Sequence, residues 1–195
     1  MQVNFILNLL TCFKSNYFHV VNLSLTCFFI CSLSVNASEQ ITIKEQQLKS
    51  AFIYNFSRLV NWPEESLAMN HSLFNICLIG EDNFKNALSP LQNRTANNYK
   101  ISIKRHINLA EISQCQILYI SQDRKDQLFQ LFQLSKKFHI LTISDINNFA
   151  ELGGHINFIV KNKKLKLKIN LKQAKQSNLE ISSRILSLAE IVDND

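Results

Sequence analysis

Histidine, cysteine and lysine are the residues of this chain whose types and spacing could support chemistry. Four of its five histidines, His71, His106, His139 and His155, lie far apart along the chain, and none has a metal-ligand spacing such as His-x-x-x-His. No Gly-x-Ser-x-Gly nucleophile motif occurs. The sequence therefore predicts no catalytic residue, no metal site and no cofactor, although a catalytic triad dispersed along the chain stays open.

The densest run of charge is a series of lysines between residues 161 and 175. Within it, Lys164, Lys166 and Lys168 alternate with apolar residues, so one face of a β-strand would carry a row of lysines. One interpretation is an edge strand that lysine protects against aggregation. The other is an electrostatic contact with an acidic partner or an anionic membrane surface. We take these three lysines as candidate partner-binding residues.

The N-terminal segment differs in charge from the rest of the chain. The 195 residues carry 21 Lys+Arg and 15 Asp+Glu, a net charge of +6, yet Lys14 is the only charged residue among residues 1–37. An apolar run follows Lys14, and Val35 and Ala37 supply the small residues of a secretory cleavage site. We expect a signal peptide of residues 1–37 and an exported domain of residues 38–195, for which nucleic acid is not an expected partner. An uncleaved membrane anchor and a lipid-anchored form are the alternatives.

Cleavage after Ala37 would leave two of the five cysteines, Cys77 and Cys115. An even number of cysteines in an oxidising compartment predicts a disulfide, whereas two separately buried thiols are the alternative. A bridge across a sequence separation of 38 residues would stabilise the fold by up to about 4 kcal/mol in the chain-entropy model. No Cys-x-x-Cys motif is present, so the bridge would be structural rather than redox-active.

The apolar pattern of the exported part predicts alternating helices and strands. A long amphipathic helix should start at a capping box, residues 42–45, and end before Pro63. Short apolar runs predict strands at residues 74–79, 100–105, 116–120 and 138–143. Helical patterns lie between or after them at residues 83–88, 109–112, 123–134 and 146–153.

The last third of the chain predicts a different arrangement. The link between the strand patterns at residues 155–160 and 165–170 is too short for a parallel crossover, so these strands should form an antiparallel hairpin. A final helical pair should extend to Ile191. We therefore expect a single α/β domain whose mainly parallel sheet has helices on both faces and ends in an antiparallel hairpin and C-terminal helix.

Several blocks of the chain, in this order, resemble those of a known family. They are Ala51-Phe52-Ile53-Tyr54-Asn55-Phe56 with Asn61-Trp62-Pro63, the runs at residues 74–80, 115–121 and 141–145, and the closing runs at residues 149–158, 169–171 and 181–186. The sequence resembles the YfiR/HmsC-like family of bacterial periplasmic proteins over about residues 48–192.

The resemblance implies a non-enzymatic regulator with a compact, often dimeric α/β fold. Such proteins restrain the periplasmic sensory domain of an inner-membrane diguanylate cyclase of the YfiN type, which lowers cyclic di-GMP and biofilm formation. In the family, the positions of Cys77 and Cys115 form a structural disulfide. Some members carry a second cysteine pair in the region of residues 142–152, which contains no cysteine here, so the resemblance does not extend redox control to this chain.

The resemblance does not identify the binding surface. The hairpin lysines and the corner formed by Trp62 and Pro63 are the candidates, although a tryptophan at this position is equally expected in the core. Two other functions stay open: an exported sensor that binds a small ligand and acts on another membrane signalling protein, such as a histidine kinase, and an exported hydrolase on an α/β scaffold.

Overall fold

The computed structural model describes residues 36–68 and 73–192. His71 and nearly all of the expected signal peptide, residues 1–37, lie outside the described residues. The chain divides into two compact units, Met1–Ile43 and Lys44–Asp195. The described residues of the first unit are helical, and the sheet belongs to the second. No described helix is long and apolar enough to cross a membrane.

The bounds of the described helices agree only in part with those that the sequence pattern predicts. The helices are α1 (Asn36–Leu59), α2 (Glu64–Ala68), α3 (Leu128–Lys137), α4 (Leu171–Gln176) and α5 (Ser183–Leu186), with 3-10 turns at Ser89–Leu91, Leu109–Gln114 and Gln122–Gln127. α1 ends before Pro63, as predicted. Its predicted start at residues 42–45 is wrong, because Ala37, Glu39 and Gln40 favour helix and extend it towards the N-terminus.

One mixed, mainly parallel sheet organises the second unit. The strands are β1 (Val60–Asn61), β2 (Leu73–Ile79), β3 (Thr95–Ala96), β4 (Tyr99–Lys104), β5 (Ile117–Ile120), β6 (Leu141–Ser144), β7 (Ile156–Lys161), β8 (Lys164–Ile169), β9 (Glu180–Ile181) and β10 (Ala189–Ile191). The sheet has the order β10-β8-β7-β6-β5-β2-β4-β3, while β1 pairs with β9. Its neighbouring strands are parallel except for the pairs β7–β8 and β3–β4.

Two apolar cores lie on opposite faces of this sheet. In β5, Ile117 and Tyr119 belong to the first core and Leu118 belongs to the second, because successive side chains of a strand point to opposite faces. α1 contributes Phe56 to the first core, and α3 contributes Leu131 to the second. The predicted fold class, with helices on both faces of a mainly parallel sheet, is confirmed.

The segment between β2 and β3 contains turns where the sequence predicted a helix. Residues 83–88 form turns. The Asp82 carboxylate accepts a hydrogen bond from the amide of Phe84 at 2.9 Å, and Lys85 has a φ of 48°. A local side-chain bond of this kind competes with helix formation, and a positive φ excludes the helical conformation at Lys85.

The predicted helix between β6 and β7 is also wrong, because a buried side chain replaces the helical hydrogen bonds. The side-chain oxygen of Asn157 accepts from the amide of Phe149 at 3.1 Å, and its nitrogen donates to the carbonyls of Ser144 and Ile146 at 3.1 and 3.0 Å. The segment therefore folds as turns around Asn157. At the C-terminus, residues 189–191 pair with β8 as a strand instead of continuing α5.

Candidate interaction surface

The Trp62–Pro63 corner offers less surface than its sequence position suggests. Trp62 is only 7% exposed. Its indole Nε1 donates to the carbonyl of Gln116 at 3.2 Å, and its ring lies edge-on to Phe74 with centroids 5.0 Å apart. Pro63 is half-buried. Trp62 therefore packs in the core in this conformation, and Pro63 is the residue of the pair that a partner could reach.

The predicted lysine row lies on β8, on the face opposite the first core. Leu167 and Ile169, two of the apolar residues that alternate with the lysines in this strand, are buried in that core. Lys164 and Lys166 are exposed on the other face. β10 pairs with residues 167–169 of β8, so the interpretation of β8 as an edge strand applies only to its first half.

Lys168 differs from the other two lysines of the row because it has carboxylate partners. Its Nζ lies 2.5 Å from Oε1 of Glu151 and 3.8 Å from Oε1 of Glu190. The hydrogen bond with Glu151 raises the pKa of Lys168 above its usual range. Burial opposes ionisation of Glu151, but the bond from Lys168 lowers the pKa of that carboxyl overall. Lys168 therefore joins β8 to β10 and to the segment after β6.

Lys164 and Lys166 border an open groove next to the start of β10. The groove encloses about 580 Å³. β7 and β8 provide one wall, and the segment from α5 into β10 provides the other. The lining residues are Ile159, Lys161, Asn162, Lys164, Lys166, Leu167, Ser187, Leu188, Ala189 and Glu190. Two lysines of the predicted row thus belong to a concave surface that also includes Lys161 and Leu188, which sequence reasoning did not identify as site residues.

The predicted disulfide between Cys77 and Cys115 is present. The two Cα atoms are 5.9 Å apart. The bridge joins β2 to Cys115, two residues before the adjacent strand β5 begins, and both cysteines are almost fully buried. Because no solvent reaches the sulfurs, the bridge holds two central strands together and is not positioned to exchange with external thiols.

A buried histidine contact, which sequence reasoning missed, brings a serine and a histidine together. Nδ1 of His155 accepts from the amide of Thr142 at 3.0 Å, so the ring proton of the neutral histidine lies on Nε2. Nε2 then donates to Oγ of Ser177 at 2.9 Å. Burial lowers the pKa of His155 to about 4. A histidine that donates to a serine hydroxyl does not withdraw its proton, so this arrangement is structural and provides no activated nucleophile.

The other described histidines do not form a site together. His106 is exposed. His139 contacts the carbonyl of Ser177 through Nδ1 at 3.0 Å and Oε1 of Glu65 through Nε2 at 3.3 Å. In the described part of the chain, no three histidine, cysteine or acidic side chains are arranged to hold a metal ion.

A buried lysine is the second polar feature that sequence reasoning missed. Lys49 of α1 is 3% exposed, and its Nζ contacts Oε1 of Glu45 at 2.7 Å and Oδ2 of Asp145 at 3.1 Å. Burial first, and then the negative charge of Asp145, raise the pKa of the neighbouring Tyr119 phenol. The spacing of Glu45 and Lys49, four residues on a helix, was the available signal, but such pairs usually lie on exposed faces.

Comparison with known structures gives distant similarities. One is a structure described as the ABC domain in complex with L-Trp from Streptococcus pneumonia, which is 9% identical with a TM-score of 0.44 over 62% of this chain and 55% of that chain. Another is a conserved domain protein from Vibrio cholerae, which is 10% identical with a TM-score of 0.44 over 67% and 57% of the two chains. This chain thus spans little more than half the length of either structure. No curated protein matches it.

Comparison with protein families gives a match over most of the chain. The model of the family DUF4154, described as YfiR/HmsC-like, matches residues 46–190. The match includes every strand of the sheet except the last residue of β10, as well as the disulfide and the lysine row. The family consists of periplasmic regulators of diguanylate cyclase signalling. The family resemblance predicted from the sequence is therefore confirmed, and the chain belongs to the YfiR/HmsC-like family.

Proposed function

We propose that the exported chain is a non-enzymatic repressor that binds the periplasmic sensory domain of an inner-membrane diguanylate cyclase of the YfiN type. Repression would lower cyclic di-GMP and biofilm formation. The family match over residues 46–190 carries this proposal. The buried Cys77–Cys115 disulfide supports export, because such bridges persist in oxidising compartments. We further propose cleavage of a signal peptide after Ala37 and the formation of a homodimer.

Repression of this kind requires no catalytic group in the regulator. A regulator that binds the inactive conformation of the cyclase more tightly than the active one shifts the equilibrium between them by the ratio of the two affinities. A tenfold ratio corresponds to about 1.4 kcal/mol. An interaction surface that differs in fit between the two cyclase conformations is therefore sufficient, and Pro63 and the lysines of β8 are the candidates for it.

The proposal is tested by measuring cyclic di-GMP in cells that lack the chain. We expect the level, measured by mass spectrometry of extracts, to rise in its absence. The full chain should restore the original level, and a form without residues 1–37 should not, because it would stay in the cytoplasm. An unchanged level in the deletion strain would contradict repression.

Crosslinking in intact cells identifies the partner. We expect a tagged chain to be recovered from membranes together with a diguanylate cyclase that has a periplasmic sensory domain. Recovery of a histidine kinase instead would favour the alternative, an exported sensor acting on another signalling protein. Size-exclusion chromatography with light scattering of the purified periplasmic form tests the homodimer.

A further inference from the structure

The groove between β8 and the α5–β10 segment carries positive charge that the protein itself does not neutralise. Lys164 and Lys166 border it, and Lys161 lies opposite Lys164 across the β7–β8 pair. None of these three lysines has a carboxylate partner among the described residues, whereas Lys168, next along the row, is paired with Glu151 and Glu190. Glu190 is the acidic residue of the groove lining, and it pairs with Lys168, so the three groove lysines leave the groove with a net positive charge.

Apolar side chains line the groove beside these lysines. Leu188 is 64% exposed on one wall, and Ile159, the cross-strand partner of Lys166, is half-buried on the other. A leucine this exposed beside unpaired cations is suited to contact an apolar side chain of a partner.

The edge of β8 that borders the groove also offers free backbone groups. The amide of Asn170 bonds to the carbonyl of His155 on the β7 side. Because an antiparallel pair alternates its hydrogen bonds, the backbone groups of Leu165 point away from β7. β10 pairs only with residues 167–169, so no described strand takes up these groups. They are open to an extended segment in line with β10.

We propose that this groove binds an extended acidic segment of a partner protein, in which carboxylates pair with Lys161, Lys164 and Lys166 and an apolar residue contacts Leu188. The inference rests on the proposed function, since it takes the sensory domain of the cyclase as the protein that supplies the segment. The concave shape favours a peptide over a membrane, because a flat lipid surface would contact the rim of the groove and leave Ile159 and Leu188 without a partner.

A peptide assay tests the groove independently of the cyclase. The probe is a fluorescein-labelled peptide of alternating glutamate and leucine, titrated with the protein purified from the periplasm and followed by fluorescence anisotropy. The neutral control peptide has glutamine in place of glutamate. We expect binding of the acidic peptide alone, weakening with added NaCl, and reduced about tenfold or more by K164E/K166E. The matched variant K125E/K175E, which changes the net charge equally at two other exposed lysines, should bind as the unchanged protein does.

A second measurement needs no variant. In amide NMR spectra of the unchanged protein, the acidic peptide should shift signals of the groove residues, with Lys164–Ile169 and the residues from 187 to 190 among them. Shifts confined to another surface would overturn the proposal, as would equal binding of the glutamine peptide. Binding to vesicles of phosphatidylethanolamine and phosphatidylglycerol that depends on Lys164 and Lys166, without peptide binding, would overturn it in favour of a membrane.

The same variants separate this inference from the proposed function. If K164E/K166E lowers recovery of the cyclase after crosslinking and K125E/K175E does not, the groove is the contact. If both variants recover the cyclase equally, the groove inference fails while repression stands. If the unchanged chain recovers no cyclase, the proposed function fails, and the peptide assay and NMR map alone decide whether the groove binds acidic segments.

Discussion

His155 shows how a single buried side chain can make the stability of this protein depend on pH. Its ring satisfies the amide of Thr142 and the hydroxyl of Ser177 in the neutral form. Protonation would place a charge in the core and replace the acceptor at Nδ1 by a donor, which would abolish the bond from the Thr142 amide. The low pKa of His155, about 4, follows from this burial.

The expected pH dependence has a definite sign. The pKa of His155 is lower in the folded state than its ordinary value of 6.5, so the unfolded chain binds the proton more readily. The contribution of neutral His155 to the free energy of unfolding is complete above pH 6.5 and is lost as the pH falls towards 4. This loss is roughly 3 kcal/mol at most. Urea unfolding across this range should show a steeper loss of stability in the unchanged protein than in His155→Gln. The surface control His106→Gln should leave the slope unchanged, and an equal slope in all three proteins would contradict this role of His155.

Lys49 is the second residue whose burial makes a specific energetic prediction. It is 3% exposed, while its partners Glu45 and Asp145 are 31% and 28% exposed. Lys49→Met would retain the packing of the side chain and leave the two carboxylates without a cation, so we expect the free energy of unfolding to fall by about 3 kcal/mol. Chemical denaturation measures this loss.

A double variant distinguishes lost charge pairing from lost packing. Asp145→Asn combined with Lys49→Met removes both members of the longer pair, so the double variant should be more stable than the sum of the two single changes predicts. Strict additivity would show that the Lys49 ammonium and the Asp145 carboxylate do not stabilise one another, since independent effects add.

At the scale of elements, the hairpin β7–β8 is the clearest case in which the local backbone constrains residue type. Asn162 and Lys163 form its two-residue turn with φ values of 53° and 59°. Positive φ at both positions is the type I′ geometry, which favours Asn followed by Gly. A lysine in the second position is therefore strained relative to glycine.

Replacing Lys163 by glycine should stabilise the hairpin. The left-handed conformation costs glycine little, and the gain exceeds the extra backbone entropy of glycine, so we expect the free energy of unfolding to rise by about 0.5–1 kcal/mol. Thermal unfolding monitored by circular dichroism measures the change. Lys163→Ala removes the same charge while retaining the strain, and a gain from alanine equal to that from glycine would show that relief of charge repulsion is the cause.

The elements that the sequence predicted well are those determined by local pattern. The short apolar runs became the buried strands β2, β5 and β6, and the short link at residues 161–164 required the hairpin. The predicted helix at 146–153 failed because Asn157, beyond the segment, supplies its hydrogen bonds. Local propensity contains no information on such a partner.

The buried face of α1 shows the same limit. Helical spacing places Leu48 on the same face as Phe52 and Phe56, yet Leu48 is 45% exposed and the neighbouring Lys49 is buried. Only the carboxylate of Asp145, 96 residues away in the chain, makes this burial acceptable. The lysine row was likewise visible in the sequence. The neutralisation of Lys168 was not, because Glu151 and Glu190 reach it through tertiary contacts.

At the scale of the whole molecule, the disulfide links two neighbouring strands of the sheet, β2 and β5. β2 pairs with β4 on one side and with β5 on the other. Between β2 and β5 the chain forms β3 and β4. The bridge between Cys77 and Cys115 therefore closes a loop that contains both of these strands. In the chain-entropy model, closing that loop lowers the conformational entropy of the unfolded chain and has little effect on the folded one.

Replacing both cysteines by alanine should therefore destabilise the protein without changing its surface. For a separation of 38 residues, the chain-entropy model gives about 4 kcal/mol as an upper value, and we expect a loss of about 2–4 kcal/mol in the free energy of unfolding. Urea unfolding measures it, with dithiothreitol as the control. Unfolding exposes the bridge to the reductant, which should therefore lower the stability of the unchanged protein and leave C77A/C115A unaffected. Because the bridge is buried in the second core between β2 and β5, and the lysine groove lies at the β10 edge of the sheet, the folded variant should bind the acidic peptide as tightly as the unchanged protein. Weaker binding by fully folded C77A/C115A would show that the disulfide also determines the shape of the groove.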